Sequence, residues 1–269
     1  MSSIKTSRST HQFLEECLQI KPLPARTSPL DPGYAPATLE SHLEQSGQFM
    51  EILKLSMACW QIADEAATRK KIAAAHAHNV KVGVGGGPFE IAKTFGKMSE
   101  YLDLCSDLTI DRIEAGEGFT DNKLSATDII NECNKRNLEV QFELGEKHKG
   151  TFDKNTVEIL IKQGLEWLDA GAKQLVIEAR ESGEDIGLFD FQGNLNVAGA
   201  ESFVNAFGID NVCFEAPNKS SQFKLLNHFG ADIHISNVRL EELLRIEIYR
   251  RGLHSDAFCQ PRLKPSNPR

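Results

Sequence analysis

Val140-Gln-Phe-Glu143 is one of four apolar runs in this chain that end in glutamate; the others are Asp111-Arg-Ile-Glu114, Leu175-Val-Ile-Glu178 and Val212-Cys-Phe-Glu215. Successive glutamates are 29, 35 and 37 residues apart, about the length of one strand and one helix. The runs therefore predict parallel strands whose carboxylates recur at one end of a sheet. In a parallel α/β fold, that end carries the active site.

Strand-like runs continue this rhythm along the chain at 50–56, 81–85, 111–116, 139–145, 174–180, 211–217 and 232–238. Between them, segments such as 64–77, 125–136 and 156–170 carry apolar residues at i, i+3 and i+4, as amphipathic helices do. This alternation predicts right-handed βαβ units and a parallel sheet. Seven clear strands and one doubtful strand favour a (β/α)8 TIM-type barrel. An open doubly wound sheet is the second choice, and the lack of a G-x-G-x-x-G motif in the first unit counts against it.

The beginning of the predicted barrel is its least regular part. Five prolines interrupt residues 21–37, so a first strand within 26–33 would be short and irregular. Before it, Thr10 can cap a short helix with one apolar face, which we expect to plug or flank the barrel. We predict an N-terminal extension over residues 1–22, a single barrel domain over 23–258 and a C-terminal tail over 259–269.

Length, charge and cysteine content restrict the class of protein. The chain has 269 residues, 41% of them hydrophobic, and a formal net charge of −8. Its basic residues are scattered, which argues against nucleic acid and favours a small molecule as partner. No secretory signal or run of about 18 apolar residues occurs, so we predict no membrane association. Six cysteines without C-x-x-C spacing indicate reduced thiols and a cytoplasmic protein; we also expect a homo-oligomer.

The four strand-end glutamates predict a metal site. A single glutamate at a strand end is explained as well by an ion pair with a neighbouring Arg or Lys, or by a cap on the next helix. Four carboxylates at one mouth would repel one another, and a hard divalent cation with oxygen ligands relieves that repulsion. We expect Mg²⁺, because the sequence offers no cluster of Cys and His ligands.

Other polar groups follow the predicted strand ends. Lys54 lies inside an apolar strand, so we expect it to contact the carboxylates. Lys147 follows another strand and could hold an anion or deliver a proton, although an ordinary loop lysine fits its position as well. Gly85-Gly-Gly87 would let backbone N–H groups approach a ligand, and a tight turn explains the same glycines. The run Glu178-Ala-Arg-Glu-Ser-Gly183 is more polar than a turn requires.

Taken in order, these segments resemble the phosphosulfolactate synthase family, whose members add sulfite to phosphoenolpyruvate with Mg²⁺ on a (β/α)8 barrel. The resemblance spans roughly residues 23–258, and its strength lies in the order and spacing of short motifs. The matching stretches are Leu23-Pro-Ala-Arg26, Asp31 with Gly33, Lys54, Gly85-Gly86, Phe89-Glu90, Glu114, Glu143-Leu-Gly145 with Lys147, Glu178 to Gly183, Phe214-Glu-Ala-Pro217 with Lys219 and Gln222, Asn237 and Arg250-Arg-Gly-Leu253.

The resemblance implies a Michael-type addition. A metal would bind the substrate carboxylate, sulfite would attack the methylene carbon, and a lysine would protonate the resulting carbanion. Lys147 matches the family's proposed proton donor, and we add Lys54 and Arg180 as catalytic candidates. The predicted metal ligands are Asp31, Glu114, Glu143, Glu178 and Glu215, and the predicted substrate-binding residues are Gly85, Gly86, Lys219, Asn237 and Arg251.

The chain departs from the family pattern in several loops. The aromatic, glycine and threonine or serine pattern after Lys54 is lost. Asp-Lys-Gly has become Asp31-Pro-Gly33, Gly-Gly-Thr has become Gly85-Gly-Gly87, Asp-Gly-Ser has become Glu117-Gly-Phe119, and the first lysine of Gly-Lys-Lys has become Glu146. Two cations and two hydroxyl donors are therefore missing from loops where an anionic substrate would bind.

We therefore predict a metal-dependent lyase that acts on phosphoenolpyruvate or a related enol phosphate or unsaturated carboxylate, with sulfite or another small nucleophile. The alternative is a non-catalytic barrel of the same origin that serves as a stress-associated or binding protein. The retained carboxylates argue against this alternative, because clustered carboxylates cost stability unless they have a use.

Overall fold

The computed structural model describes residues 9–120, 123, 125–180 and 182–263. Within them, eight parallel strands close into a barrel in sequence order, so the first strand pairs with both the second and the last. The (β/α)8 barrel is thus confirmed. The strands are β1 Thr27–Asp31, β2 Ile52–Leu55, β3 Lys81–Val84, β4 Arg112–Gly116, β5 Glu139–Leu144, β6 Gln174–Ile177, β7 Val212–Glu215 and β8 His234–Arg239.

Helices connect the strands and pack against the barrel. The helices are α1 Thr10–Gln12, α2 Pro36–Ser46, α3 Cys59–Ile62, α4 Glu65–Ala77, α5 Gly86–Thr94, α6 Met98–Asp107, α7 Ala126–Asn134, α8 Lys154–Ala170, α9 Val197–Phe207, α10 Lys219–Phe229, α11 Leu243–Arg250 and α12 Ser255–Phe258. Two 3₁₀ turns, Gly47–Phe49 and Leu240–Glu242, and one π turn, Phe13–Cys17, complete the set. Helix α8 shows how the layers meet, because its buried Trp167 packs on Phe142 of β5 with ring centroids 4.7 Å apart.

The irregular first strand is present, and its irregularity has a local cause. The pairing of β1 with β8 shifts register between Ser28 and Pro29, where proline has no N–H to donate. The N-terminal helix begins one residue earlier than predicted, because Ser9 and not Thr10 is its cap. Phe13 and Leu18, which follow this helix, are 51% and 42% exposed.

The barrel lumen is polar and leads to the strand ends. Residues two apart on a strand face the same side, so Arg112 and Glu114 on β4 lie below and above Gln141 of β5. Arg112 donates to Gln141 (3.3 Å), and Gln141 donates to Glu114 Oε2 (2.7 Å). This relay of hydrogen bonds supports the carboxylate of Glu114 from beneath.

The two ends of the chain lie partly outside the described residues. Residues 1–8 of the predicted extension and 264–269 of the predicted tail belong to that part, and the proposed domain boundaries stay predictions. Within the described part of the predicted tail, Leu263 is buried against the core. Across the described ranges, the structure contains no helix with the length and apolar character needed to cross a membrane.

Candidate active site

A cavity of about 540 Å³ opens at the C-terminal ends of the strands. All four glutamates that end the apolar runs line it, although they come from β4, β5, β7 and the residue after β6. Lys54 of β2 and Lys147 of the loop after β5 line it as well. The fold therefore brings together the residues that the sequence spacing predicted to share one mouth.

Each lysine bridges two of the glutamates. Lys54 Nζ lies 2.8 Å from Glu114 Oε1 and 3.5 Å from Glu215 Oε1. Lys147 Nζ lies 2.7 Å from Glu143 Oε1 and 2.6 Å from Glu178 Oε2. The mouth thus contains two lysine-centred groups, with four carboxyl groups around two ammonium groups.

Backbone amides also donate to three of the four glutamates. Glu114 accepts from Gly86 N (3.1 Å), Glu215 from Ala179 N (3.0 Å) and Glu178 from Arg180 N (2.6 Å). Charge-assisted bonds of this kind hold an ionised group in one orientation. These bonds orient three of the carboxyl groups at the mouth.

Burial and mutual repulsion change the protonation of the inner carboxyls. Burial and the nearby charges of Glu143 and Glu215 raise the pKa of Glu178 to about 10. Glu143 is buried as well, but Lys147 and a hydrogen bond from Glu178 lower its pKa. Burial alone would lower the pKa of Lys147; the carboxylates around it outweigh that effect and raise it. The pair of glutamates therefore retains one proton while Lys147 stays charged.

This shared proton predicts a pH dependence of stability. Because the pKa of Glu178 is higher in the folded protein, its stabilising effect is complete below the usual value of 4.5 and is lost as the pH rises toward about 10. In metal-free buffer, Glu178→Gln should therefore gain stability relative to the wild type between pH 5 and pH 9. Urea unfolding at several pH values measures this gain, with exposed Glu184→Gln as control. If the free energies of unfolding of the wild type and of Glu178→Gln changed in parallel with pH, the result would contradict the raised pKa of Glu178.

Arg180 gives the cavity a guanidinium group that is not paired within the described part of the chain. Among the described residues, none forms a side-chain hydrogen bond or ion pair with its guanidinium group; Glu181, the next residue, lies outside that set. Its backbone adopts φ +55°, a conformation that non-glycine residues rarely take. Glu178 stabilises this conformation by accepting the Arg180 N–H.

The predicted substrate-binding residues divide into two groups. Gly85, Gly86 and Asn237 line the cavity, the glycines at the N-terminus of α5. Lys219 does not, because it begins α10 and lies 3.6 Å from Asp256. Arg251 pairs with Glu247, which accepts a hydrogen bond from Thr27 at the start of β1, and this places Arg251 at the other end of the barrel.

Asp31, predicted as a metal ligand, is placed away from the four glutamates. One of its carboxylate oxygens accepts the backbone N–H groups of Gly33 (2.8 Å) and Tyr34 (2.7 Å). The other accepts from Lys71 of α4 at 2.7 Å. Both oxygens are thus committed to the first loop and to α4, so Asp31 acts here as a structural residue.

Some features of the cavity suit a hard cation, and one does not. The excess of carboxylates over lysines and the supply of oxygen donors suit Mg²⁺. Asn237 adds to this, because its Oδ1 is buried and no described group hydrogen-bonds to it. Against this, no three acidic, His or Cys side chains in the described part of the chain already surround a common point, since the lysines occupy the carboxylates.

One side of the mouth is apolar. A Cβ atom added to Gly87 would lie 2.7 Å from Met57 Cε and 3.9 Å from the ring of Phe119. Met57 is 49% exposed and has a φ of +42°, so it lies over the glycine in a strained backbone conformation. Met57, Gly87 and Phe119 thus form an apolar wall near the loops where the sequence had lost hydroxyl donors.

Two residues that support the site, and a third that holds Asp31, were not predicted. Gln141 holds Glu114, and its place two residues before Glu143 could have indicated that it faces the lumen. Glu90 accepts three hydrogen bonds from the loop after β4. Lys71 reaches Asp31 from a helix forty residues away, and no sequence pattern marks such a pair.

Known structures share the barrel. A putative fructose-1,6-biphosphate aldolase from Coccidioides immitis has a TM-score of 0.51 at 14% identity, covering 97% of this chain and 91% of its own. Deoxyribose phosphate aldolase from Aeropyrum pernix has a TM-score of 0.51 at 13% identity, covering 90% of this chain and 99% of its own. At such low identity, the likeness supports the fold alone.

Sequence comparison is more specific. The profile of the (2R)-phospho-3-sulfolactate synthase (ComA) family matches residues 24–256. Phosphosulfolactate synthase of Methanocaldococcus jannaschii is 32% identical over 230 residues, which are 85% of this chain and 92% of the relative. The enzyme of the same name from Bacillus subtilis is 24% identical, over 85% of this chain and 90% of the relative. The chain therefore belongs to the (2R)-phospho-3-sulfolactate synthase family.

Proposed function

We propose that the protein is a lyase of the phosphosulfolactate synthase kind that adds sulfite to phosphoenolpyruvate. The observation that carries the proposal is the placement of Lys147, whose ammonium group lies in the cavity between Glu143 and Glu178. Family membership supports an enzyme of this type. The position of the lysine supports a proton donor at the end of β5.

The proposed reaction forms one bond at each carbon of the substrate double bond. The sulfur lone pair of sulfite attacks the methylene carbon and forms the C–S bond, and the π electrons move to the carbon that bears the phosphate. Lys147 donates a proton to that carbon, which becomes a C–H centre. Bisulfite or solvent then returns a proton to Lys147. Its raised pKa keeps the lysine charged until the strongly basic carbanion forms.

The charges of the cavity support an anionic substrate. Arg180 is available to a carboxylate or phosphate, and backbone N–H groups at the start of α5 line the same cavity. The apolar wall of Met57, Gly87 and Phe119 offers no side-chain donors, so a related enol phosphate or unsaturated carboxylate remains a second acceptor within the proposal. The homo-oligomeric state and cytoplasmic location also remain proposals and rest on the sequence alone.

Mg²⁺ is part of the proposal as a cofactor. Glu143, Glu178 and Glu215 would hold it, with Asn237 Oδ1 as a further oxygen donor. A bound Mg²⁺ supplies positive charge that stabilises the carbanion through the substrate carboxylate. The protein groups then bind the substrate, exclude water and hold the proton at Lys147.

Product formation tests this proposal. Purified protein with phosphoenolpyruvate, sulfite and Mg²⁺ should yield phosphosulfolactate, followed by ³¹P NMR and mass spectrometry. EDTA should lower the rate by about a hundredfold or more, since a metal ion contributes several kcal/mol to such reactions. Absence of product at every sulfite concentration would overturn the assignment. If calorimetry also detected no divalent binding, the non-catalytic barrel would be the better description.

A further inference from the structure

We infer that Glu90 is a positioning residue that holds the loop after β4 against the Lys147 side chain. The inference deepens the proposed function, because it concerns the lysine assigned there as proton donor. Glu90 lies on α5, is 1% exposed, and does not itself line the cavity. It therefore acts through the loop.

The carboxylate of Glu90 binds three consecutive residues of that loop. Its Oε1 accepts from Gly118 N at 3.0 Å, and its Oε2 accepts from Phe119 N and Thr120 Oγ1, both at 3.1 Å. Three donors on one buried carboxylate fix the path of the loop, because leaving any of them unpaired would cost a buried hydrogen bond.

Gly118 transmits this constraint to Lys147. Its carbonyl oxygen accepts the Lys147 backbone N–H at 2.8 Å. A Cβ atom added to Gly118 would lie only 3.2 Å from Lys147 Cε and 3.2 Å from Glu143 Oε1. The glycine therefore lies directly on the lysine side chain and on one of its carboxylate partners. A loop displaced by a fraction of an ångström would change both contacts.

Two readouts separate positioning from simple stabilisation. In Glu90→Ala, kcat should fall by about a hundredfold with KM for phosphoenolpyruvate within about twofold, the loss expected when a reacting group is misplaced by about 1 Å. Glu90→Gln keeps one acceptor oxygen and should fall in between. In the Glu90 variants without substrate, acylation of the Lys147 amine should be about tenfold higher than in the wild type. Acylation is measured by mass spectrometry of chymotryptic peptides and normalised to that of Lys154, which is 92% exposed.

Glu247→Gln is the matched control, because Glu247 is also buried and hydrogen-bonded but lies at the opposite end of the barrel. It should lower the melting temperature without changing acylation of Lys147. Unchanged acylation in folded Glu90→Gln, or an equal rise in Glu247→Gln, would overturn the inference. Should Glu90→Ala fail to fold, Glu90→Gln decides alone. A wild type that makes no phosphosulfolactate while acylation still responds to Glu90 would refute only the proposed reaction.

Discussion

Lys147→Ala is expected to lower kcat for phosphosulfolactate formation by about a thousandfold, because general acids contribute about 10²–10⁴ to such steps. Its ammonium group touches both Glu143 and Glu178 at the mouth. KM for phosphoenolpyruvate should change much less, since Arg180 and the start of α5 remain. Initial rates at saturating sulfite, with circular dichroism to verify folding, measure the effect.

Lys149→Ala is the matched control for this substitution. Lys149 is two residues further along the same loop, is 72% exposed and pairs only with Glu146 among the described residues. Its removal should leave kcat within about twofold, as expected for an exposed ion pair. If Lys147→Ala kept more than a tenth of the wild-type rate, Lys147 could not be the proton donor.

Lys54→Met is expected to destabilise the protein by about 3–5 kcal/mol, the usual cost of breaking a buried ion pair by removing one partner. Lys54 is buried, and its loss would leave Glu114 and Glu215 without their cation. Urea unfolding at neutral pH gives the free energy of unfolding of each variant. Activity should fall as well, because both carboxylates line the cavity.

A double variant isolates the cause of that loss. Adding Glu114→Gln to Lys54→Met removes one of the two stranded charges and leaves an amide of similar shape, so it should restore part of the stability. The exposed pair Lys97 and Glu100 provides the control, and Lys97→Met should shift the unfolding midpoint far less. A loss below about 1 kcal/mol in Lys54→Met would mean that the buried pair does not organise the mouth.

Much of the barrel and of its mouth could be predicted, because both follow from the regular alternation of strand-like and helix-like segments in the sequence. The alternation of strands and helices predicted the closed sheet, and parallel strands align their ends, so Glu114, Glu143, Glu178 and Glu215 had to meet. The weakness of β1 was also visible, since Pro29 interrupts its pairing.

The places of Asp31, Arg251 and Glu90 could not be predicted, because they depend on tertiary contacts that residue spacing does not encode. Asp31 follows a strand as the glutamates do, but the amides of its own loop and Lys71 take its oxygens. Arg251 belongs to a matching motif and still lies at the far end of the barrel beside Glu247. Glu90 acts through the loop after β4, and a sequence cannot show which loop a helix residue will hold.

The departures from the family pattern gain a physical meaning from the structure. At Gly87 and Phe119, where hydroxyl donors were lost, Met57 fills the space above the glycine. The mouth therefore combines a retained acidic centre with an altered rim. The barrel and the family are therefore established, whereas the acceptor and the nucleophile are proposed.

Chemical rescue of Lys147→Ala tests the central claim most directly. Phosphosulfolactate formation from phosphoenolpyruvate, sulfite and Mg²⁺ is followed by ³¹P NMR for the wild type and for the variant, each with and without methylamine. We predict product from the wild type, almost none from the variant, and a rate that rises with methylamine in the variant alone, because the amine replaces the missing proton donor. Equal rates in wild type and variant, or no product from the wild type, would contradict the account.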